Sequence, residues 1–215
     1  MSQKKNARYV RHPDKALNMF KGYAERLNAT LREIFGIPIS NHPLLPIQLT
    51  DREKKLGTAK MQFQISPRIS IPTKMNTNAG KDFVFISIEQ DLIALYQRKN
   101  EYKLSTPSYK YRIFLLEDDD EPWIGFENHD GEGVAHCQCH AHINIPKYFA
   151  GARDGKKIPF KKLHIPTARI SIEQFALFLV SDLNAISKKN LDDVHETLKS
   201  SHQKFYDDAN LDIGL

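Results

Sequence analysis

Two cysteines, one tryptophan and no long apolar run set the first boundaries on this 215-residue chain. Cys137 and Cys139 lie two residues apart, and a loop that short barely restricts the unfolded chain, so a structural disulfide between them is excluded. No apolar stretch approaches the roughly 20 residues of a helical membrane span. The start, Met1-Ser2-Gln3-Lys4-Lys5-Asn6, has no signal-peptide core, and a reducing cytoplasm is the expected location. There is also no glycine-rich phosphate loop, no recognisable nucleophile motif and no carboxylate pair at catalytic spacing. What remains is a globular composition, with 40% hydrophobic and 27% charged residues, which is too apolar for wholesale disorder. The net charge of +5 admits a nucleic-acid or acidic partner, although the basic residues are widely spread.

The pattern of apolar residues gives an α+β expectation. A basic arm over residues 1–12 leads to a helix opened by Pro13-Asp14. Leu17, Phe20, Ala24, Leu27, Leu31 and Ile34 form its apolar stripe, and Gly36 suits its end. A short helix is expected from Asp51 to Leu56. Strands are expected at about 61–71 and 82–86. Ser87-Ile88-Glu89-Gln90 has the form of a capping box, which predicts a helix through Leu92, Leu95 and Tyr96 to about Asn100. An antiparallel meander spans about 109–145. Its strands are Tyr109–Leu116, Pro122–Glu127 and Ala135–Ile145, and its turns are the acidic run Glu117–Glu121 and the Asp130–Gly133 segment. A loop is expected from Pro146 to Pro166. Ser171-Ile172-Glu173-Gln174 is a second capping box opening an apolar helix, and a last helix covers about 191–206. The pentapeptide Ile-Ser-Ile-Glu-Gln thus occurs twice, which shared capping chemistry explains without duplication. Helices flanking a meander define the class. The chain divides into residues 1–100, of unassigned role, and 101–215, packed as one globular unit.

The segment His136-Cys137-Gln138-Cys139-His140-Ala141-His142-Ile143 carries the densest chemistry. On a strand, side chains alternate between faces, so His136, Gln138, His140 and His142 share one face and the cysteines share the other with Ala141 and Ile143. The small, apolar set suits a core, which leaves the histidines as an exposed polar row. Same-face neighbours lie roughly 6.5–7 Å apart at the backbone, so His140 and His142 can converge on one phosphate or one metal. Two imidazoles titrating near neutrality can also divide the base and acid roles of RNA phosphodiester cleavage, without an obligatory cofactor. Arg112 and Lys110 alternate with Tyr109 and Tyr111 and are placed to reach the same face, where a cation stabilises the developing phosphorane charge. Lys161, Lys162, His164 and Arg169 are candidates for further phosphate contacts. A divalent metal such as zinc at the His136–His142 segment is the competing assignment, but ligands drawn from Cys137, Cys139, His140 and His142 would mix the two faces. The tyrosines interleaved with Lys110 and Arg112 also permit base stacking, so a non-catalytic nucleic-acid-binding or partner-binding subunit is a further reading. The plainest reading is a solvated or hydrogen-bonded strand face.

Lys110-Tyr111-Arg112, Gly125-Phe126-Glu127-Asn128, Gly131 and Gly133, His140-x-His142, Ser171-Ile172-Glu173-Gln174 and Asp182-Leu183 occur in an order that resembles the TumE-like toxins of bacterial toxin–antitoxin pairs. The resemblance covers about residues 105–185. It implies RNA cleavage, a cognate antitoxin partner, and an active surface built from Arg112, Asn128, His140 and His142. The first 100 residues and the long loop after Lys147 depart from that pattern, and either departure is compatible with a scaffold turned to another task in a defence or mobile-element complex.

Overall fold

The computed structural model describes residues 13–36, 44–51, 58–74, 83–96, 102–128, 139–144 and 162–209. The first helix, α1 (Pro13–Phe35), has the expected length and stops at Gly36, whose φ of +71° belongs to the left-handed region that a glycine enters without a Cβ clash. The strands are β1 (Leu44–Pro46), β2 (Ala59–Pro72), β3 (Phe83–Tyr96), β4 (Tyr102–Ser105), β5 (Tyr109–Phe114), β6 (Ile124–Asn128), β7 (Cys139–Asn144) and β8 (Lys162–Pro166). Helices α2 (Ile172–Ser181) and α3 (Leu191–Ala209) complete the described elements. The expected helix from Asp51 falls almost wholly outside the described residues, as do the Asp130–Gly133 turn and the strand start at Ala135.

All eight strands form one antiparallel sheet in the order β1-β2-β3-β5-β6-β7-β8, with β4 also paired to β3. Residues 102–114 therefore run back along β3 in two pieces, β4 against Tyr96–Ile93 and β5 against Gln90–Phe85. The α+β meander with helices is as expected, and the acidic run at Glu117–Glu121 does join β5 to β6. Two expectations are overturned. Residues 87–96 are not a helix: Ile86, Ile88, Gln90, Leu92 and Ala94 are buried while the residues between them are not, so the period is two. Ladders to β2 on one side and to β5 and β4 on the other outweigh the local capping chemistry. The loop before Pro166 likewise ends in a strand, because β8 pairs with β7 from His140↔Pro166 to Asn144↔Lys162.

One face of the sheet packs on the helices. Tyr111 lies 5.4 Å from Phe175 of α2, and Phe126 lies 5.3 Å from Phe178, measured between ring centroids. Tyr23 of α1 meets Phe63 of β2 edge-on and donates a 2.7 Å hydrogen bond to Gln90. That bond is why a glutamine can occupy a core position on β3. The second capping box forms as expected, with Ser171 Oγ accepting from Gln174 N and Gln174 Oε1 accepting from Ser171 N. Beneath it, the buried Glu173 carboxylate accepts a 2.9 Å bond from Ser201 Oγ and lies 3.7 Å from His202 Nδ1, which ties α2 to α3.

Candidate metal and acid–base centre

The chemistry collects on the other sheet face. Cross-strand register fixes it, because side chains opposite one another in a ladder share a face. One row reads Glu89↔Lys110↔Glu127↔His140, and the next reads Ser87↔Arg112↔Gly125↔His142. Glu127 therefore sits directly across from His140, and His142 faces a residue with no side chain. A Cβ placed on Gly125 would approach Glu127 Oε1 and Arg112 Cγ at 3.9 Å, so this glycine underlies the cluster.

Five of these side chains, Glu89, Arg112, Glu127, His140 and His142, meet on this face. Glu127 turns one oxygen to Arg112, with Nε at 3.4 Å from Oε1, and the other to His142, with Nε2 at 3.5 Å from Oε2. The Arg112 guanidinium also donates to Glu89 Oε1 at 3.3 Å. The rings of His140 and His142 are 4.3 Å apart and nearly perpendicular, at 78°. Ligand-type atoms of Glu127, His140 and His142 all lie within 4.8 Å of one another.

Burial differs from the sequence expectation. His140 and His142 retain 2% and 5% of their exposure, so the two are not an exposed row. The phasing itself holds: Ala141 faces the helices, and so does Cys139, whose thiol donates to Asn128 Oδ1. On the same face Glu127 is also largely covered, while Arg112 and Glu89 remain partly exposed.

The structure brings together Arg112, His140 and His142, with Lys110 in the same row. It does not bring Asn128 to them. Asn128 lies on the helix side, is buried, and donates through Nδ2 to the Pro107 carbonyl. Arg169 is also elsewhere, donating to Thr106 Oγ1 at 3.1 Å. The side chains of Lys162 and His164 are not described, though His164 pairs with His142 across the β7–β8 ladder. His136, Cys137 and Lys161 lie outside the described residues. Base stacking on Tyr109 and Tyr111 is ruled out by position, since both face the helices at 1% and 0% exposure. Burial also pushes the Tyr109 hydroxyl up to about 12 and Tyr111 well above its ordinary value, so neither is an acid–base group near neutrality.

Two members of the network, Glu127 and Glu89, had no sequence assignment as site residues. Strand alternation puts Glu127 in phase with Gly125 and out of phase with Phe126, which marks it as facing away from the helices. Its position across from His140 depends on register, which one strand alone does not reveal. Glu89 was hidden inside a segment, Ser87–Gln90, that has the form of a capping box. No protein-family model, curated protein or solved structure matches the chain.

Proposed function

We propose that this chain acts on RNA phosphodiesters, as a ribonuclease-like toxin or phage-defence effector, from the Glu127–His140–His142 cluster. The observation that supports the reading is the convergence of two imidazoles, a carboxylate and the Arg112 guanidinium on one sheet face. In such a reaction one imidazole removes the 2′-hydroxyl proton while the other protonates the leaving 5′-oxygen. Glu127 orients His142 through its Nε2 contact, and Arg112 supplies positive charge where the phosphorane develops. The net charge of +5 and the resemblance over residues 105–185 favour RNA as substrate and an antitoxin protein as partner. Because both imidazoles are buried, substrate contact on this reading requires the surface over β6 and β7 to open.

The test compares wild type with the double variant His140→Ala/His142→Ala, using labelled RNA and growth of expressing cells. Cleavage and growth arrest by wild type, both lost in the variant, are expected. Equal cleavage and equal growth in the two would refute the assignment. The burial of the rings favours a second reading, in which the cluster is a structural polar network and the chain binds nucleic acid without chemistry. RNA binding that weakens steeply with added salt and yields no product selects that reading.

A further inference from the structure

We infer that Glu127, His140 and His142 form a binding site for one divalent transition-metal ion of the zinc class. The inference concerns the same cluster but stands on its geometry alone, whether or not RNA is the substrate. Ligand atoms about 2.0–2.2 Å from a tetrahedral ion lie roughly 3.3–3.6 Å from each other. Glu127 Oε2 and His142 Nε2 already stand at 3.5 Å, and one ligand atom from each of the three residues lies within 4.8 Å of the other two. Small side-chain rotations close that remaining distance. The two rings already touch, with centroids 4.3 Å apart, from neighbouring same-face places on β7.

The surroundings fit a metal better than they fit free imidazoles. An acid–base histidine must touch its substrate, whereas an ion is bound well in a buried cage. Glu127 presents separate oxygens to Arg112 and to the cluster, so the guanidinium orients the carboxylate without occupying the ligating atom. Arg112 is in turn fixed by Glu89. The donors are two imidazole nitrogens and one carboxylate oxygen, a set that suits zinc or another borderline divalent ion and leaves a position for water or an anionic oxygen. Cys139 takes no part, because its thiol is on the helix side with Asn128. The site is therefore unlike the cysteine-containing arrangement that the local sequence invites.

The test uses the full chain after treatment with a chelator, titrated with Zn²⁺ alone against a chromophoric competitor. One equivalent binding more tightly than about 10 µM is expected. Glu127→Gln and His142→Asn are each expected to weaken it by at least about 100-fold, since even outer-shell partners contribute roughly 10–100-fold. His195→Ala, at an exposed position on α3, should leave it unchanged. Should the buried variants fail to fold, ¹⁵N-histidine spectra of wild type replace them: two imidazoles must shift on adding one equivalent of Zn²⁺. Absence of saturable binding, full affinity in Glu127→Gln, or shifts confined to other histidines would each overturn the site. Bound Zn²⁺ occupies the nitrogens that the acid–base reading needs free, so RNA left intact by the metal-free protein would instead count against the ribonuclease reading and leave the metal site standing.

Discussion

Replacing Ser201 with alanine probes how α2 and α3 are held together. The hydroxyl donates a 2.9 Å bond to Glu173, and both residues are buried, at 6% and 4% exposure. A hydrogen bond to a charged group contributes about 1.5–3 kcal/mol, so Ser201→Ala should cost that much near pH 7. For a chain of this size, roughly 2–4 °C of melting temperature follows each kcal/mol, giving a fall of about 3–12 °C. Burial alone would raise the Glu173 pKa, but the nearby His202 imidazole, its own backbone amide and the Ser201 hydroxyl bring it below the ordinary 4.5. A depressed folded-state value means that this contribution is complete above the unfolded pKa and fades as pH falls through the folded one. The difference between wild type and Ser201→Ala should therefore narrow as the pH drops below about 4.5. Thermal unfolding followed by circular dichroism across that range measures it. A variant as stable as wild type near neutrality, or a gap that stays constant into acid, refutes the reasoning.

Two further substitutions test the frame around the site. Gly36→Ala must hold a side chain at φ +71° and meets the Lys188 side chain, so a loss of about 1–2 kcal/mol is expected in urea unfolding. Unchanged stability would mean that α1 ends differently. Phe175→Ala removes a ring packed on Tyr111 and Phe126 and should cost about 3–5 kcal/mol, read as a lowered urea midpoint with a similar slope.

The duplicated pentapeptide explains both what the sequence discloses and what it hides. At Ile170–Gln174 the residues that follow place Phe175, Ala176 and Leu179 on one buried stripe with Ile172, so the capping box has a helix to start. At Ile86–Gln90 the same five residues precede Leu92 and Ala94, which continue an alternation already begun at Val84. Gln90 disguises that alternation, since a polar residue breaks the apolar pattern until Tyr23 is seen to satisfy it. Long-range pairing thus decided between two structures that local chemistry left level. The histidine segment divides in the same way. Period two correctly separated Cys139 from His140 and His142, because that rule needs only the strand itself. The burial of the histidines and their approach to Glu127 depend on neighbouring strands. The strand at Lys162–Pro166 was missed because its five residues carry only Leu163 and Ile165 as an apolar signal.

The ends of the sheet bear on how copies of this chain meet one another. An unpaired strand edge is a template for adding another strand, and such growth leads to aggregates. At one margin, β1 is three residues long and finishes in Pro46, which lacks the amide needed to extend a ladder. The stretch of β2 that β1 leaves uncovered is broken by a register shift between Ile65 and Ile69, where Pro67 and Arg68 sit. At the other margin, β8 offers five residues, beginning with a lysine and closing on Pro166. Among the described residues neither border presents a long, flat, apolar ribbon, which leaves a second copy little template for adding a strand.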